Sequence, residues 1–409
     1  MSKVPARLRL SIGLLLGRAA EAASRMLRLG AGGVIGGRVL VAVAPSAARD
    51  LAQGRHLTLV SGTNGKTTTT AYLTACLRTL GPVDTNADGA NTRPGFVRSL
   101  AAGSAPRVVL ETDEGWLPWA IAQTAAEVVV LLNLSRDQLH RNHEVRLVAQ
   151  SWGRALDGVA HVVANVDDPS VVLAALGART HTWVGLGSRW TQDSGLCPRC
   201  GAELERSLDD WWCYCGLRRP SPQWWLEDTD LVSATDRVAL DLELPGQANQ
   251  ANAAMAIAAA AHWGVDPHQG AATLRRIGSV AGRYQVFERD GRRAQLILAK
   301  NPASWLEALE MVAGTTTPVV LAFNSEGVDG RDPSWLYDVP LSRFAGRPIV
   351  VTGRRATDML VRLEMAGLHD VLRADDAESA LALLPPGPVS VIANYTAFQE
   401  AREVLDDAG

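Results

Sequence analysis

The chain has 409 residues, more than one compact core usually holds at about 100–200 residues per domain, so several domains are expected. Hydrophobic residues make up 47% and charged residues 20%, which excludes wholesale disorder. A formal charge of −3 lacks the broad basic footprint of a nucleic-acid binder.

At the N-terminus, Lys3, Arg7 and Arg9 precede an apolar run at 10–17, and small residues follow at 19–23. That order resembles an export signal. The preferred reading is an amphipathic helix lying on the next domain, because Arg18, Arg25 and Arg28 continue the charge at helical spacing. Residues 1–45 are therefore expected to pack on a central domain. No stretch approaches the ~20 apolar residues of a membrane span. A cytoplasmic chain is expected, with a place at the inner membrane face left open for this helix.

Strands are predicted at 57–60, 108–111, 128–134 and 162–166, with helices between them, one at 66–80. Such alternation implies a parallel sheet covered on both faces. Residues 190–220 interrupt the pattern with a cysteine cluster and Trp190, Trp211 and Trp212. Hairpin material is predicted at 231–244, and an Ala-rich helix at 247–263. A second α/β set then begins, with strands at 294–298, 319–323, 349–351 and 389–392. Its helices are predicted at 304–312, 356–366, 377–384 and 397–405. The expected domains are 46–275 and 276–409.

The segment Ser61-Gly62-Thr63-Asn64-Gly65-Lys66-Thr67-Thr68 carries the strongest chemical signal. It follows an apolar strand and opens a helix. Glycines let backbone N–H groups approach phosphate oxygens, and the helix N-terminus adds partial positive charge. Lys66 can reach the terminal phosphates, and Thr67 is placed to hold Mg²⁺. The general Walker pattern would require glycine where Val60 stands, so this is a shorter variant.

Cys197-Pro-Arg-Cys200-Gly and Cys213-Tyr-Cys215-Gly pair as metal knuckles. Four thiolates satisfy a closed tetrahedral zinc site with no open position, so a structural role is expected. A disulfide pair or free thiols remain alternatives. The remaining cysteine, Cys76, falls inside the helix after the phosphate loop and is read as core.

These motifs resemble the Mur ligase superfamily, whose phosphate loop reads G-T-N-G-K-T-T. The resemblance implies ATP and Mg²⁺, with Glu111 as an acidic metal ligand at a strand end. It also implies a central ATPase domain, here carrying a zinc-ribbon insertion, and a C-terminal Rossmann-like domain. Asn133–Leu139, with Asp137, is similar to a segment ending in D-H-L, and Asn165–Pro169 to an N-x-D-D-P turn. Asn249 and Asn252 resemble its adenine-contacting segment, and Gly282-Arg283 the entry to its third domain. Taken residue by residue, the lesser alternatives are a surface carboxylate for Glu111 and a helix cap for Asp137.

The cysteine insertion, T-N-A-D-G-A-N at 85–91, R-D-Q-L at 136–139 and K-N-P at 300–302 narrow the likeness. So does D-G-R-D-P-S-W-L-Y-D at 329–338. Together they resemble the MurT branch, the synthetase subunits of lipid II isoglutaminyl synthase. His140 stands where that branch tends to have Asp. Ile297 stands where several Mur ligases place an acidic ribose contact. The resemblance implies amidation of the D-glutamate α-carboxylate of lipid II to D-isoglutamine through an acyl phosphate. A chain with Cys76 alone outside the cluster carries no evident glutaminase nucleophile. Ammonia must then be free or come from a partner, and the resemblance implies the branch's glutaminase, GatD. Asp332, ahead of Asp338, would complete the partner's Cys/His pair. Rival readings are an amino-acid-adding Mur ligase, a folylpolyglutamate synthase, or a nucleotide-gated zinc-ribbon module on nucleic acid.

Overall fold

A computed structural model describes residues 5–26, 33–86, 89–136, 144–187, 192–280, 282–289, 291–313, 315–326, 329 and 332–406. Asp137, His140 and Trp190 lie outside the described residues. The chain forms two compact units. The first takes residues 1–135, 142–242 and 250–276, and the second residues 136–141, 243–249 and 277–409.

The first unit is built on a nine-stranded sheet. In chain order its strands are β1 (His56–Ser61), β2 (Val83–Thr85), β3 (Arg107–Glu111), β4 (Val128–Leu131), β5 (His161–Asn165) and β6 (Thr180–Gly185). After a separate two-stranded hairpin, β7 (Glu205–Arg206) and β8 (Trp211–Trp212), come β9 (Trp224–Glu227), β10 (Asp230–Ser233) and β11 (Arg237–Ala239). The spatial order is β11-β10-β9-β6-β5-β4-β1-β3-β2. Pairings from β2 to β9 are parallel, and β9–β11 form an antiparallel meander. Val128 to Leu131 are wholly buried, as parallel strands covered on both faces must be.

The predicted strand 128–134 stops at Leu131, and residues 132–135 leave the sheet to brace the phosphate loop. The predicted hairpin at 231–244 forms as β10 and β11 and ends by Ala239, and the meander it belongs to begins one strand earlier, at β9. Its first strand was missed because Trp-Trp-Leu-Glu is only half-buried and shows no clean apolar run.

The Ala-rich helix Gln247–His262 buries every residue from Ala253 to Ala260. Methyl side chains allow that all-round burial, so the helix shows little amphipathic pattern. The N-terminal segment forms two helices, Ala6–Met26 and Gly33–Val43. The second lies so close to the helix Arg93–Ala102 that a Cβ on Gly37 would fall 2.1 Å from the Pro94 carbonyl oxygen. No described helix is long and apolar enough to cross a membrane.

The second unit carries a six-stranded sheet. Its strands are β12 (Tyr284–Arg289), β13 (Arg292–Leu298), β14 (Val319–Ala322), β15 (Ile349–Thr352), β16 (Val371–Arg373) and β17 (Gly387–Ala393). They lie in the order β12-β13-β17-β14-β15-β16. All pairings but β12–β13 are parallel. The Lys300-Asn301-Pro302 motif is a helix start: Asn301 and Ser304 form a reciprocal capping box on Pro302–Met311.

At the lower edge of the first sheet, His161 stacks on His262 with ring centroids 3.8 Å apart and bonds Thr180 and Thr182. Burial, followed by the like charges of His262 and His181, pushes the His161 pKa down to about 4. Between about pH 6.5 and 4 the unfolded chain therefore binds a proton that the folded chain refuses. Stability from this group is full above about pH 6.5 and falls as the pH drops. His161→Gln should flatten that fall by up to about 1 kcal/mol between pH 7 and 5. Urea midpoints of both proteins at the two pH values check it, and parallel changes would refute it.

Candidate functional site

The site grows from a topological switch point. β1 lies between β3 and β4, so Val60 is in register with Glu111 on one side and Ser61 with Leu131 on the other. Three strand ends therefore converge where the chain turns into the helix Lys66–Arg78. Gly65 caps that helix at φ 83°, a left-handed conformation, and a Cβ there would meet Asn252 Oδ1 at 2.2 Å. Gly62, at φ 153°, would push a Cβ to 2.8 Å from the Leu132 Cβ.

The loop is held from behind by the end of β4. Thr63 N donates to the Asn133 carbonyl at 2.9 Å, and Asn64 N to Asn133 Oδ1 at 2.9 Å. Asn133 Nδ2 returns a bond to the Asn64 carbonyl at 3.1 Å. Thr63 Oγ1 accepts from Ser135 N at 3.0 Å. Asn133 was read only as part of a motif; here it is the brace of the loop.

Lys66 is buried. Its ammonium donates to the Gly62 carbonyl at 2.5 Å, the Thr63 carbonyl at 3.3 Å and Glu114 Oε2 at 2.9 Å. Burial alone would lower its pKa. The carboxylates of Glu114, Glu111 and Asp113 outweigh that and hold it above its ordinary value. Glu114 is the site residue the sequence reading missed as a partner. Its signal was the third acid of Glu111-Thr-Asp113-Glu114, but only the folded turn brings it to Lys66. Its own carbonyl accepts from Trp152 Nε1 at 2.9 Å, which fixes the turn.

Thr67 Oγ1 donates to Glu111 Oε2 at 2.7 Å, and Asn91 Nδ2 to Glu111 Oε1 at 2.8 Å. Asn86 bonds both the N–H and the carbonyl of Glu111 at 2.8 Å, pinning the backbone. A hydroxyl and a carboxylate at the helix start form a hard oxygen donor set of the kind Mg²⁺ takes. Thr68 is buried one residue further on. Asn252 lies over Gly65 and accepts from Thr69 Oγ1 at 3.2 Å. Asn249, on the same helix, instead donates to the Pro245 carbonyl at 2.7 Å. Arg283 belongs to the second unit, in the turn before β12.

The Asn165–Pro169 turn is structural. Asp168 caps the helix Pro169–Ala175 and accepts from Leu134 N at 2.7 Å. Burial lifts its pKa to about 6 against the N–H bonds from Leu134, Val171 and Ser170. Asp167 accepts from Leu186 N at 2.7 Å and pairs with Arg219 at 2.9 Å.

Arg219 leads to the cysteine cluster. The sulfurs of Cys197, Cys200, Cys213 and Cys215 lie within 4.8 Å of one another, with pairs at 3.5 and 3.6 Å. Those gaps exceed the ~2.05 Å of a disulfide. They approach the ~3.8 Å edge of a tetrahedron with bonds of ~2.3 Å, so the donors fit one metal ion. Trp211 Nε1 donates to the Val166 carbonyl at 2.8 Å, and Cys197, Trp211 and Cys213 join the core of the first unit.

In the second unit, Asp332 is exposed and its Oδ1 accepts from Ser334 N at 2.9 Å, opening the turn Ser334–Asp338. Asp338, half-buried, pairs with Arg136 at 3.2 Å. Asp329 accepts from Thr396 N at 3.1 Å. A further polar network went unread in the sequence. Asn324 bonds Asn394 and Glu400, and Arg354 bonds Asn324, Glu326 and Glu400.

Comparison with known proteins adds to this geometry. The family model "Mur ligase middle domain" matches residues 60–193, and "MurT ligase C-terminal" matches 298–398. A lipid II isoglutaminyl synthase (glutamine-hydrolyzing) subunit MurT from Staphylococcus aureus is 26% identical, covering 86% of this chain and 87% of its own length. One from Streptococcus pneumoniae is 27% identical, covering 97% of each chain. Among solved structures, MurF from Acinetobacter baumannii superposes with a TM-score of 0.67 at 16% identity, covering 90% of this chain and 80% of that one. That likeness establishes a Mur-ligase-like α/β fold with a parallel sheet.

Gly62→Ala should lower the thermal midpoint by several degrees, because it adds both a clash and an unfavourable φ, worth about 2 kcal/mol together. Thr63→Ala, which loses hydrogen bonds alone, should lower it less. Calorimetry giving the reverse order would refute the close approach at Leu132.

Proposed function

We propose that this chain, a relative of the MurT subunits along most of its length, is the ATP-dependent synthetase of a lipid II isoglutaminyl synthase. A carboxylate oxygen of D-glutamate in the lipid-linked stem peptide attacks the γ-phosphorus of ATP, and ADP leaves. Ammonia adds to the acyl carbon of the resulting acyl phosphate, inorganic phosphate leaves, and D-isoglutamine remains. The observation that carries this reading is the buried Lys66–Glu114 pair set beside Thr67 and Glu111 at the phosphate loop.

Each residue has a defined task. Backbone N–H groups of Gly62–Lys66 cradle the phosphates. Glu114 orients the Lys66 ammonium, which exchanges loop carbonyls for phosphate oxygens. Thr67 and Glu111 would hold Mg²⁺, which neutralises charge on the transferring phosphoryl group. Asn249, Asn252 and Arg283 are proposed to contact the nucleotide. Burial holds the Cys76 thiol up at about 12, so it is no nucleophile. Ammonia is then free or comes from a partner glutaminase, GatD in the family, and the partner source is the one proposed. Its docking side is assigned to the 329–338 loop, where Tyr337 is 60% exposed with Arg362 stacked over its ring. Asp332, exposed at the turn, is proposed ahead of the half-buried Asp338 as the residue lent to the partner. The four cysteines are assigned a structural zinc. The central ATPase domain would span 46–275, behind an N-terminal segment of 45 residues, and the C-terminal domain 276–409. A lipid-linked substrate sets the work at a membrane face.

With ATP, ammonium and lipid II, Lys66→Ala should lower amidation at least about 10²-fold while the chain stays folded by circular dichroism and keeps its zinc, although loss of the counter-charge to buried Glu114 should lower the thermal midpoint. Undiminished turnover would remove the ATP-site argument. Amino acids supplied in place of ammonium should give no product; a new peptide bond would move the chain to the amino-acid-adding ligases. Asp332→Asn, assayed with the glutaminase present, should cut glutamine-driven amidation at least about tenfold and spare the ammonium-driven reaction.

Metal analysis of the purified chain should find one zinc. A chain with no zinc and four titratable thiols would defeat the structural-zinc assignment.

A further inference from the structure

The helix Ala6–Met26 has two apolar faces, and only one is covered. Leu10, Gly13, Leu14 and Gly17 turn inward, and the two leucines pack on the core of the first unit. Outward stand Leu8, Ile12, Leu15, Leu16 and Met26, exposed by 51, 39, 68, 48 and 84%. At ~100° per residue these five fall within an arc of about 100°. Arg7, Arg18 and Arg25 form a row about 80–100° to one side of Leu8, and Arg9 stands about 100° to the other. All four arginines are exposed. Val34 and Ile35, at the start of the next helix, are also exposed, by 44 and 38%.

Charge selects the occupant. Glu21 is the one acid in the two helices, and it turns away to bond Arg98 at 3.1 Å. The outward face is thus apolar at its centre and purely cationic at its edges. Long arginine stems can hold their heads at the level of lipid phosphates while the leucines enter the acyl boundary. A second copy of the chain would bring like-charged arginine rows together, which disfavours self-association through this face. We propose that the outward face of the helix Ala6–Met26 docks on an anionic lipid bilayer, with the helix lying in the membrane plane. Its length, about 30 Å at ~1.5 Å per residue, lies along the surface. The proposal stands apart from the amidation chemistry, since it rests on no phosphate-loop residue.

The test is co-sedimentation of the full chain with vesicles of phosphatidylcholine alone, or with about one third phosphatidylglycerol to make the surface anionic. Partition should be at least about tenfold stronger on the anionic vesicles and should fall as salt rises. Leu15→Ser/Leu16→Ser should lose at least about tenfold, and Arg18→Glu/Arg25→Glu as much on anionic vesicles alone. Leu176→Ser, at a site 45% exposed elsewhere in the first unit, should bind as the native chain does. Equal partition onto neutral vesicles would overturn the proposal, and so would an unaffected leucine double variant. Loss of a dimer in that variant by sedimentation velocity would assign the face to a second copy. Loss of its glutaminase would assign the face to that partner. Amidation of detergent-dispersed precursor should be unchanged in it, so failure of docking and failure of the amidation reading are distinguishable.

Discussion

A buried ammonium must be neutralised before the loop around it can exist. Lys66 is withdrawn from water, and an isolated charge there would cost several kcal/mol. Glu114 at 2.9 Å, with Glu111 and Asp113 nearby, supplies the counter-charge. Those acids follow β3 because Glu111 closes that strand in register with Val60, so the sheet delivers carboxylates beside the lysine. The parallel sheet, the strand crossover and the glycines of the turn all serve this one pairing. In the proposed nucleotide site, phosphate oxygens would take over the contacts now held by the Gly62 and Thr63 carbonyls.

The rest of the first unit can be read as support for that pairing. Asn133 fixes the loop from the neighbouring strand end with bonds to Asn64. Asn86 fixes the backbone of Glu111 on the other side. Both asparagines use amide groups as rigid two-way connectors, donating with one atom and accepting with the other. Loss of either would leave a buried backbone group unpaired, which costs more than the bond contributes.

The phosphate loop was legible because its chemistry is local. Glycine, lysine and threonine at fixed spacing on a strand-to-helix turn need no tertiary knowledge. The buried strands of both sheets were legible for the same reason, since two-sided burial demands unbroken apolar runs. Glu114 was not legible as the partner of Lys66, because the pair is 48 positions apart and only the fold closes it. β6 was missed because Thr180-His181-Thr182 reads as loop, yet His181 stacks on Trp183 and His161 bonds both threonines. β9, the first strand of the meander, was missed because its tryptophans lie half-exposed. The cysteine spacing foretold the cluster, but not that Trp211 would anchor it.

That anchor has a mechanical meaning. Four successive residues, Asn165 to Asp168, act as a single clasp. Asn165 and Asp168 hold the segment after β4 through Leu132 and Leu134, while Val166 and Asp167 hold the insertion through Trp211 and Arg219. Strain applied at Trp211 therefore reaches Leu132 and Leu134, the segment beside the loop at 62–66, through four consecutive residues.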